Sequence, residues 1–238
     1  MRLHRFNVVQ PLGEEVVIDE VSLVNQWTKV LRYGVGDFVV LYNGDGTEYS
    51  YEIQTVSRNA YTLSLQETSP SYIPTKKSYL YLAIIKKDAF EVASKMATET
   101  GITDIIPLIS SRTEQKPLDV RRLSLITKEA SEQSGRGDMP VLHGAIMLDT
   151  LFASTESFAI DSKRVFVATR HGVPLQKILS SPVTHNEPVA FVVGPEGGWT
   201  EEEEGLFTAR KCTRVSLGNT VLRAETAGAV CSFLSTLV

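Results

Sequence analysis

Residues 79–85, Tyr-Leu-Tyr-Leu-Ala-Ile-Ile, form an unbroken apolar run. A strand with one wet face alternates apolar and polar side chains, whereas a strand covered on both faces has no need to. The run therefore asks for packed layers on both of its sides, and the sequence around it supplies them. Asp88 followed by Glu91 reads as a capping box. Phe90, Val92, Ala93, Met96 and Ala97 then give a broad helical apolar face that ends at Gly101. Residues 104–109 return to strand, and residues 118–134 read as a second helix ending at Gly135. The C-terminal third repeats the alternation: strand-like 165–169, 189–193 and 213–217 are interleaved with helix-like 200–211 and 225–237. Strands alternating with helices imply an α/β fold with a parallel sheet. Ligands of such sheets bind beyond the carboxyl ends of the strands, so the residues just after Val193 and Leu217 are where chemistry is expected.

The first seventy residues have a different texture. Short apolar runs at 16–18, 38–41, 49–56 and 60–65 are separated by turn clusters such as Asn43-Gly44-Asp45-Gly46. Several close strands with little helix suggest a small β-barrel. Residues 23–32 are expected to form a short helix closed by Gly34. The polar stretch 68–75, with Pro70 and Pro74, reads as a linker. The expected domains are thus 1–70 and 76–238.

Composition narrows the function classes. No stretch of the 238 residues approaches the roughly 20 apolar residues that span a bilayer. The opening MRLHRFNVVQ lacks the apolar run of a secretory signal. The two cysteines, Cys212 and Cys231, have neither metal-ligand spacing nor a disulfide framework, which points to the reducing cytosol. His4, His143, His171 and His185 are scattered, which argues against zinc. The net charge of −4 does not announce a nucleic-acid binder. By segment the chain is uneven: residues 1–75 hold five Lys/Arg against nine Asp/Glu (−4), residues 76–140 eleven against nine (+2), and residues 141–238 eight against ten (−2). Affinity for RNA must come from local patches rather than a global field.

Two glycine loops carry the chemistry. The first, Val193-Gly194-Pro195-Glu196-Gly197-Gly198-Trp199-Thr200, leaves a buried strand and enters a helix capped by Thr200, with Glu203 completing a capping box. Its glycines let backbone approach a ligand closely. It has neither Rossmann spacing nor the Lys-Ser/Thr of a P-loop, so phosphate binding is poorly supported. The plain alternative is a strand-to-helix turn that needs glycine. The acidic residues at 201–204 suit a solvated first helical turn better than a metal site. The second loop, residues 216–227, reads Ser-Leu-Gly-Asn-Thr-Val-Leu-Arg-Ala-Glu-Thr-Ala and again runs from strand through glycine to helix. Here the plain alternative is an Arg223–Glu225 ion pair closing the helix start.

Taken together, GPEGG before a helix and LGxxxLRxETA near the C-terminus resemble the SPOUT superfamily of knotted methyltransferases, specifically its 16S rRNA uridine-N3 family, RsmE. Lys87-Asp88 with Lys95, Glu99 and the stretch from Gly101 to Pro107 resembles that family's K-x-x-E-x-G-x-x-x-I-x-P segment. Glu129-Ala130-Ser131-Glu132-Gln133-Ser134-Gly135-Arg136 resembles its EAxEQSxR helix end. His4-Arg5-Phe6, Val30-Leu31-Arg32 and Gly36-Asp37 resemble its HRF and VLR-x-x-x-GD elements. Gln26 and Trp27 depart from the pattern, standing where a histidine-containing helix is expected, and residues 141–165 carry no matching motif.

The resemblance implies an N-terminal PUA-like barrel that helps grip RNA and a C-terminal trefoil-knot domain. It implies S-adenosylmethionine bound by three loops, through Thr169, through Val193, Gly194, Glu196 and Gly197, and through Leu217, Gly218, Val221 and Leu222, without a metal. Glu196 is expected to organise its loop. Uridine N3 is a weak acid that must lose its proton before or during attack on the methyl group, so the developing anion needs a donor and the proton needs an acceptor. Arg223 is the candidate for the anion. Glu225 is either a base or merely a helix N-cap. Arg5, Arg32 and Arg136 are candidate RNA contacts. The resemblance also implies a homodimer acting on small-subunit ribosomal RNA or the assembled 30S subunit. Three other readings remain: a SPOUT enzyme methylating another RNA or position such as a ribose 2′-hydroxyl, a catalytically silent RNA-binding protein, and a nucleotide-binding α/β enzyme of another kind.

Overall fold

The computed structural model describes residues 3–113, 117–158, 160–179 and 187–238, so His185 lies outside the described residues. The chain divides into two compact units. One is Met1–Ile73 with Ser131–Met139, and the other is Pro74–Ala130 with Pro140–Val238.

In the first unit β1 (Arg5–Asn7), β2 (Glu15–Ile18), β3 (Phe38–Tyr42), β4 (Thr47–Val56) and β5 (Tyr61–Pro70) pair in the order β1-β3-β4-β5-β2. Strands β1 and β2 are its two edges, so the sheet is a curled half-barrel rather than the closed barrel that the strand spacing suggested. Pairing is antiparallel except between β1 and β3. The Asn43–Gly46 cluster turns β3 into β4 through positive φ at Gly44 (89°) and Gly46 (90°), which glycine adopts without steric cost. Alternate residues Leu41, Tyr51, Ile53, Tyr61 and Leu63 face inward onto Trp27 and Phe6. Ring centroids of Trp27 lie 5.1 Å from both Phe6 and Tyr61, within the range where aromatic pairs attract.

The helix expected at 23–32 divides into α1 (Val21–Asn25) and a π-helical turn, Gln26–Leu31. It closes on Arg32 in the left-handed conformation (φ 57°), not on Gly34. Trp27, one of the two residues that depart from the pattern, is fully buried in the half-barrel's core.

In the second unit β6 (Ser78–Ala83), α2 (Lys87–Glu99), β7 (Asp104–Ile109) and α3 (Val120–Ser134) appear nearly where the periodicity placed them; the last turn of α3, from Ser131, belongs to the first unit. The capping box read at Asp88–Glu91 is absent. Lys86 is the N-cap and makes no side-chain cap bond, which leaves Asp88 inside the first turn. The motif-free region holds β8 (Val141–Leu142), β9 (Ile146–Met147) and α4 (Leu151–Ser157). Then come β10 (Val165–Pro174), α5 (Leu175–Leu179), β11 (Val189–Val193), α6 (Glu201–Ala209), β12 (Thr213–Ser216) and α7 (Ala224–Ser235).

The strands run in the order β12-β10-β11-β6-β7-β8, with β9 also on β7, and every pair is parallel. Leu80, Leu82, Phe191 and Val193 pack with Phe90, Ala93, Ala227, Cys231 and Leu234 on one face. Tyr79, Tyr81, Ala190 and Val192 pack with Leu151, Phe152 and Phe207 on the other. Burial on both faces is the physical reason for the unbroken apolar runs.

Strand β10 is irregular. Ala168 and Val173 both stand opposite Val215 of β12, so residues 169–172 make an excursion out of the ladder. The excursion closes through Gly172, where a methyl group would lie 2.5 Å from backbone atoms of Val215. Only glycine lets the two backbones pass so closely.

Candidate active site

Three neighbouring strands end side by side. In the register, Val167 stands opposite Val192 and Ala168 opposite Val215, so the segments after Ala168, Val193 and Ser216 leave one edge of the sheet together. These are the carboxyl ends, where parallel sheets bind ligands. Thr169 follows first. Its Oγ1 is buried without a hydrogen-bond partner, an uncommon state for a hydroxyl and one that a bound ligand would relieve.

The loop after β11 folds back over this edge. At Gly194 a methyl group would meet the Trp199 ring at 2.8 Å, so glycine is required for the indole to lie where it does. Trp199 donates from Nε1 to the carbonyl of Ala168 (3.3 Å) and sets its ring edge-on to Phe207. Gly198 donates its N–H to the carbonyl of Pro195 (2.9 Å) with φ +68°, forming the turn. The expected capping box of α6 is present: Thr200 Oγ1 accepts from the Glu203 N–H (3.3 Å), and Glu203 Oε2 accepts from the Thr200 N–H (2.8 Å). Glu203 is buried, and its Oε1 also accepts from the N–H of Ser111 (2.8 Å). Arg112 donates from Nη1 to the carbonyls of Gly197 (2.6 Å) and Trp199 (3.3 Å). The loop-organising role expected of Glu196 is thus filled by Glu203 and Arg112. Glu196 is exposed and makes no hydrogen bond among the described residues. The capping spacing pointed to Glu203, and the bulky indole after two glycines could have pointed to Trp199. No spacing marks Arg112.

The third loop begins at Leu217, which is half-buried against the core, as is Leu222. Gly218 has φ +145°, a conformation that L side chains rarely adopt, and its carbonyl accepts from Ser216 Oγ (3.1 Å). Val221 is exposed, so the expected apolar pair divides: Leu222 turns in and Val221 turns out. Arg223, not Glu225, is the N-cap residue of α7, and its backbone carbonyl accepts from the Ala227 N–H (2.8 Å). Its guanidinium is 87% exposed and lies 4.0 Å from Glu225 Oε1, at the outer limit of an ion pair. Glu225 stands in the first turn, largely sheltered.

The arginines read as RNA contacts divide by exposure. Arg32 is exposed. Arg5 has a side chain only 11% exposed, pairs with Glu48, and lies 5.2 Å over the Tyr42 ring. Arg136 is 2% exposed and donates from Nε to Asp138 Oδ1 (2.9 Å). Arg5 and Arg136 are thus internal members of the first unit, whereas Arg32 faces outward.

No group of three or more His, Cys, Asp or Glu fit to hold a metal occurs among the described residues. Burial pushes the Cys212 thiol up to about 11, with Arg210 opposing weakly, so it stays protonated and is no nucleophile near neutrality. What remains at the carboxyl edge of the sheet is glycine backbone, an orphaned hydroxyl and half-buried leucines, with the exposed Arg223 following them. Such a lining fits an adenine and its attached chain.

The profile of the RNA methyltransferase domain family matches residues 73–235, and that of the RNA methyltransferase PUA domain matches residues 28–66. Ribosomal RNA small subunit methyltransferase E of Rickettsia conorii is 32% identical over 231 residues, covering 95% of this chain and 92% of that protein. The Bacillus subtilis protein of the same name is 27% identical, covering 86% and 83%. Among solved structures, a Legionella pneumophila methyltransferase in complex with bound cofactor SAM overlays with a TM-score of 0.84 at 25% identity, covering 99% of this chain and 97% of that one. A Neisseria gonorrhoeae ribosomal RNA small subunit methyltransferase E bound to S-adenosyl methionine has the same fold, with a TM-score of 0.79 at 23% identity and coverage of 97% and 95%.

Proposed function

This chain belongs to the RNA methyltransferase domain family, with the ribosomal RNA small subunit methyltransferase E proteins as its relatives, and from that premise we propose that it methylates N3 of a specific uridine in 16S ribosomal RNA. The observation that carries the reading is the convergence of Thr169, the Gly194–Gly198 turn and the Leu217–Leu222 loop at one carboxyl edge of the parallel sheet.

S-adenosylmethionine supplies an electrophilic methyl group. Val193, Gly194, Gly197, Leu217, Gly218 and Leu222 would hold it, and the Thr169 hydroxyl would gain the partner it lacks. Glu196 and Val221, both exposed, stand at the rim. On the RNA side, Arg223 donates to the uracil O2 or O4 as negative charge spreads onto it, and being a guanidinium it stays charged at any working pH. Glu225, two residues further on and sheltered, takes the N3 proton.

The excursion of β10 and its backbone crossing at Gly172 support a trefoil knot in a SPOUT domain at 76–238. The curled sheet of residues 1–70 supports a PUA-like RNA grip, with Arg32 among its exposed cations. The enzyme works as a cytoplasmic homodimer on small-subunit RNA or the 30S subunit; no helix of the described residues is long and apolar enough to cross a membrane.

Calorimetry in the presence of a chelator tests the site. Binding of S-adenosylmethionine and its demethylated product is expected to survive chelation, because no metal-ligand cluster lies among the described residues. Loss of binding on chelation would overturn the metal-free reading.

A further inference from the structure

We infer that Arg112 is a positioning residue for the cofactor loop, holding the Gly194–Gly198 turn in its binding conformation from a segment two strands away. The inference rests on the methyltransferase reading of that loop. Arg112 lies just past β7, and β6 separates β7 from β11 in the sheet. No ladder of backbone hydrogen bonds joins the two segments directly, so side chains make the connection.

Two such connections exist, and they grip the loop at different points. Arg112 Nη1 holds the carbonyls of Gly197 and Trp199, and the arginine's aliphatic stem lies beside Gly197, where a methyl group would approach Cδ to 3.2 Å. Glu203 spans the Ser111 N–H and the Thr200 N–H, which fixes the helix start to the same segment. The loop needs such a brace. Three of its residues are glycine, which loses more conformational freedom on ordering than any other residue. A loop that freezes only on binding costs affinity; one already frozen does not. Arg112 is exposed, and the hydrogen bonds from its Nη1 go to the loop carbonyls, with the Glu202 carboxylate of the first turn of α6 also in its field. Trp199, whose carbonyl it holds, in turn packs on Gly194 and donates to Ala168, carrying the restraint to the strand end beside Thr169.

Arg112→Ala and Arg112→Lys test this, with the dissociation constant for S-adenosylmethionine measured by calorimetry alongside steady-state methyl transfer. Arg112→Ala is expected to weaken cofactor binding on the order of tenfold, as loss of hydrogen bonds from a charged donor does. The KM for the cofactor should rise in parallel while kcat at saturating cofactor stays near wild type. Arg112→Lys should fall between the two, since an ammonium on a flexible stem replaces the charge but not the fixed donor geometry. An affinity for Arg112→Ala within about twofold of wild type would overturn the inference, and so would a fall in kcat with affinity unchanged. If Arg112→Ala fails to fold, Arg112→Lys decides alone by the same criteria. Failure of the wild-type protein to bind S-adenosylmethionine would refute the methyltransferase reading itself, a result distinct from wild-type binding that the substitutions leave unaltered.

Discussion

The Arg223 guanidinium extends into solvent beside the half-buried Leu222, with Glu225 only at the edge of ion-pair distance. An exposed pair of that length is worth about 1 kcal/mol or less, so stability gives little reason for the arginine. Its place directly after the Leu217–Leu222 loop gives a better one under the proposed reading. Arg223→Ala is expected to lower single-turnover methyl transfer on the order of 10²–10³-fold, as losing one donor to developing negative charge does, while cofactor affinity and the melting midpoint hold. Near-normal turnover with a small drop in melting temperature would make Arg223 structural. Sequence singles out this residue because it sits inside a contiguous pattern, LRxETA. It does not single out Arg112, because a side chain that reaches backbone carbonyls more than eighty positions away leaves no trace in local spacing. The enclosure of Arg5 and Arg136 was hidden for a related reason: sequence shows a charge but not the Glu48, Tyr42 and Asp138 beside it.

Elements announced by burial were the easiest to read. Strands β7 and β11 fall where their apolar runs place them, since burial on both faces of a sheet admits few other sequences. Elements set by backbone exceptions were hidden. The π-helical turn at Gln26–Leu31 carries the buried Trp27, and the excursion in β10 passes Gly172 close across Val215; neither has a periodic signature. Helix α7 shows a third case. Ala227, Cys231 and Leu234 bury one side against the sheet and α2, yet Phe233, and Leu237 just past the helix end, remain 52% and 43% exposed, with Val230 half-covered one turn before Phe233. An amphipathic surface helix would place polar residues there. We expect this second stripe to meet a partner subunit. Light scattering at micromolar concentration should give twice the chain mass, and Phe233→Glu should shift it toward the monomer; a clean monomer for the wild-type protein would refute the homodimer.

At the scale of the molecule, a net charge of −4 hides a substrate that is a polyanion. The excess of acid is concentrated in residues 1–75, and the segment 76–140 is basic, so attraction to RNA has to be local and sensitive to salt. Two compact units divide the labour proposed here: a curled antiparallel sheet for grip and a parallel sheet whose carboxyl edge holds the methyl donor. The central claim is that this edge transfers a methyl group to a uridine base of small-subunit RNA. The direct measurement incubates purified protein with S-adenosylmethionine labelled in its methyl group and with small ribosomal subunits lacking the modification, then digests the RNA to nucleosides and separates them. Label in 3-methyluridine is the expected result; label in a ribose-methylated or other nucleoside, or none on either naked RNA or assembled subunits, would contradict it.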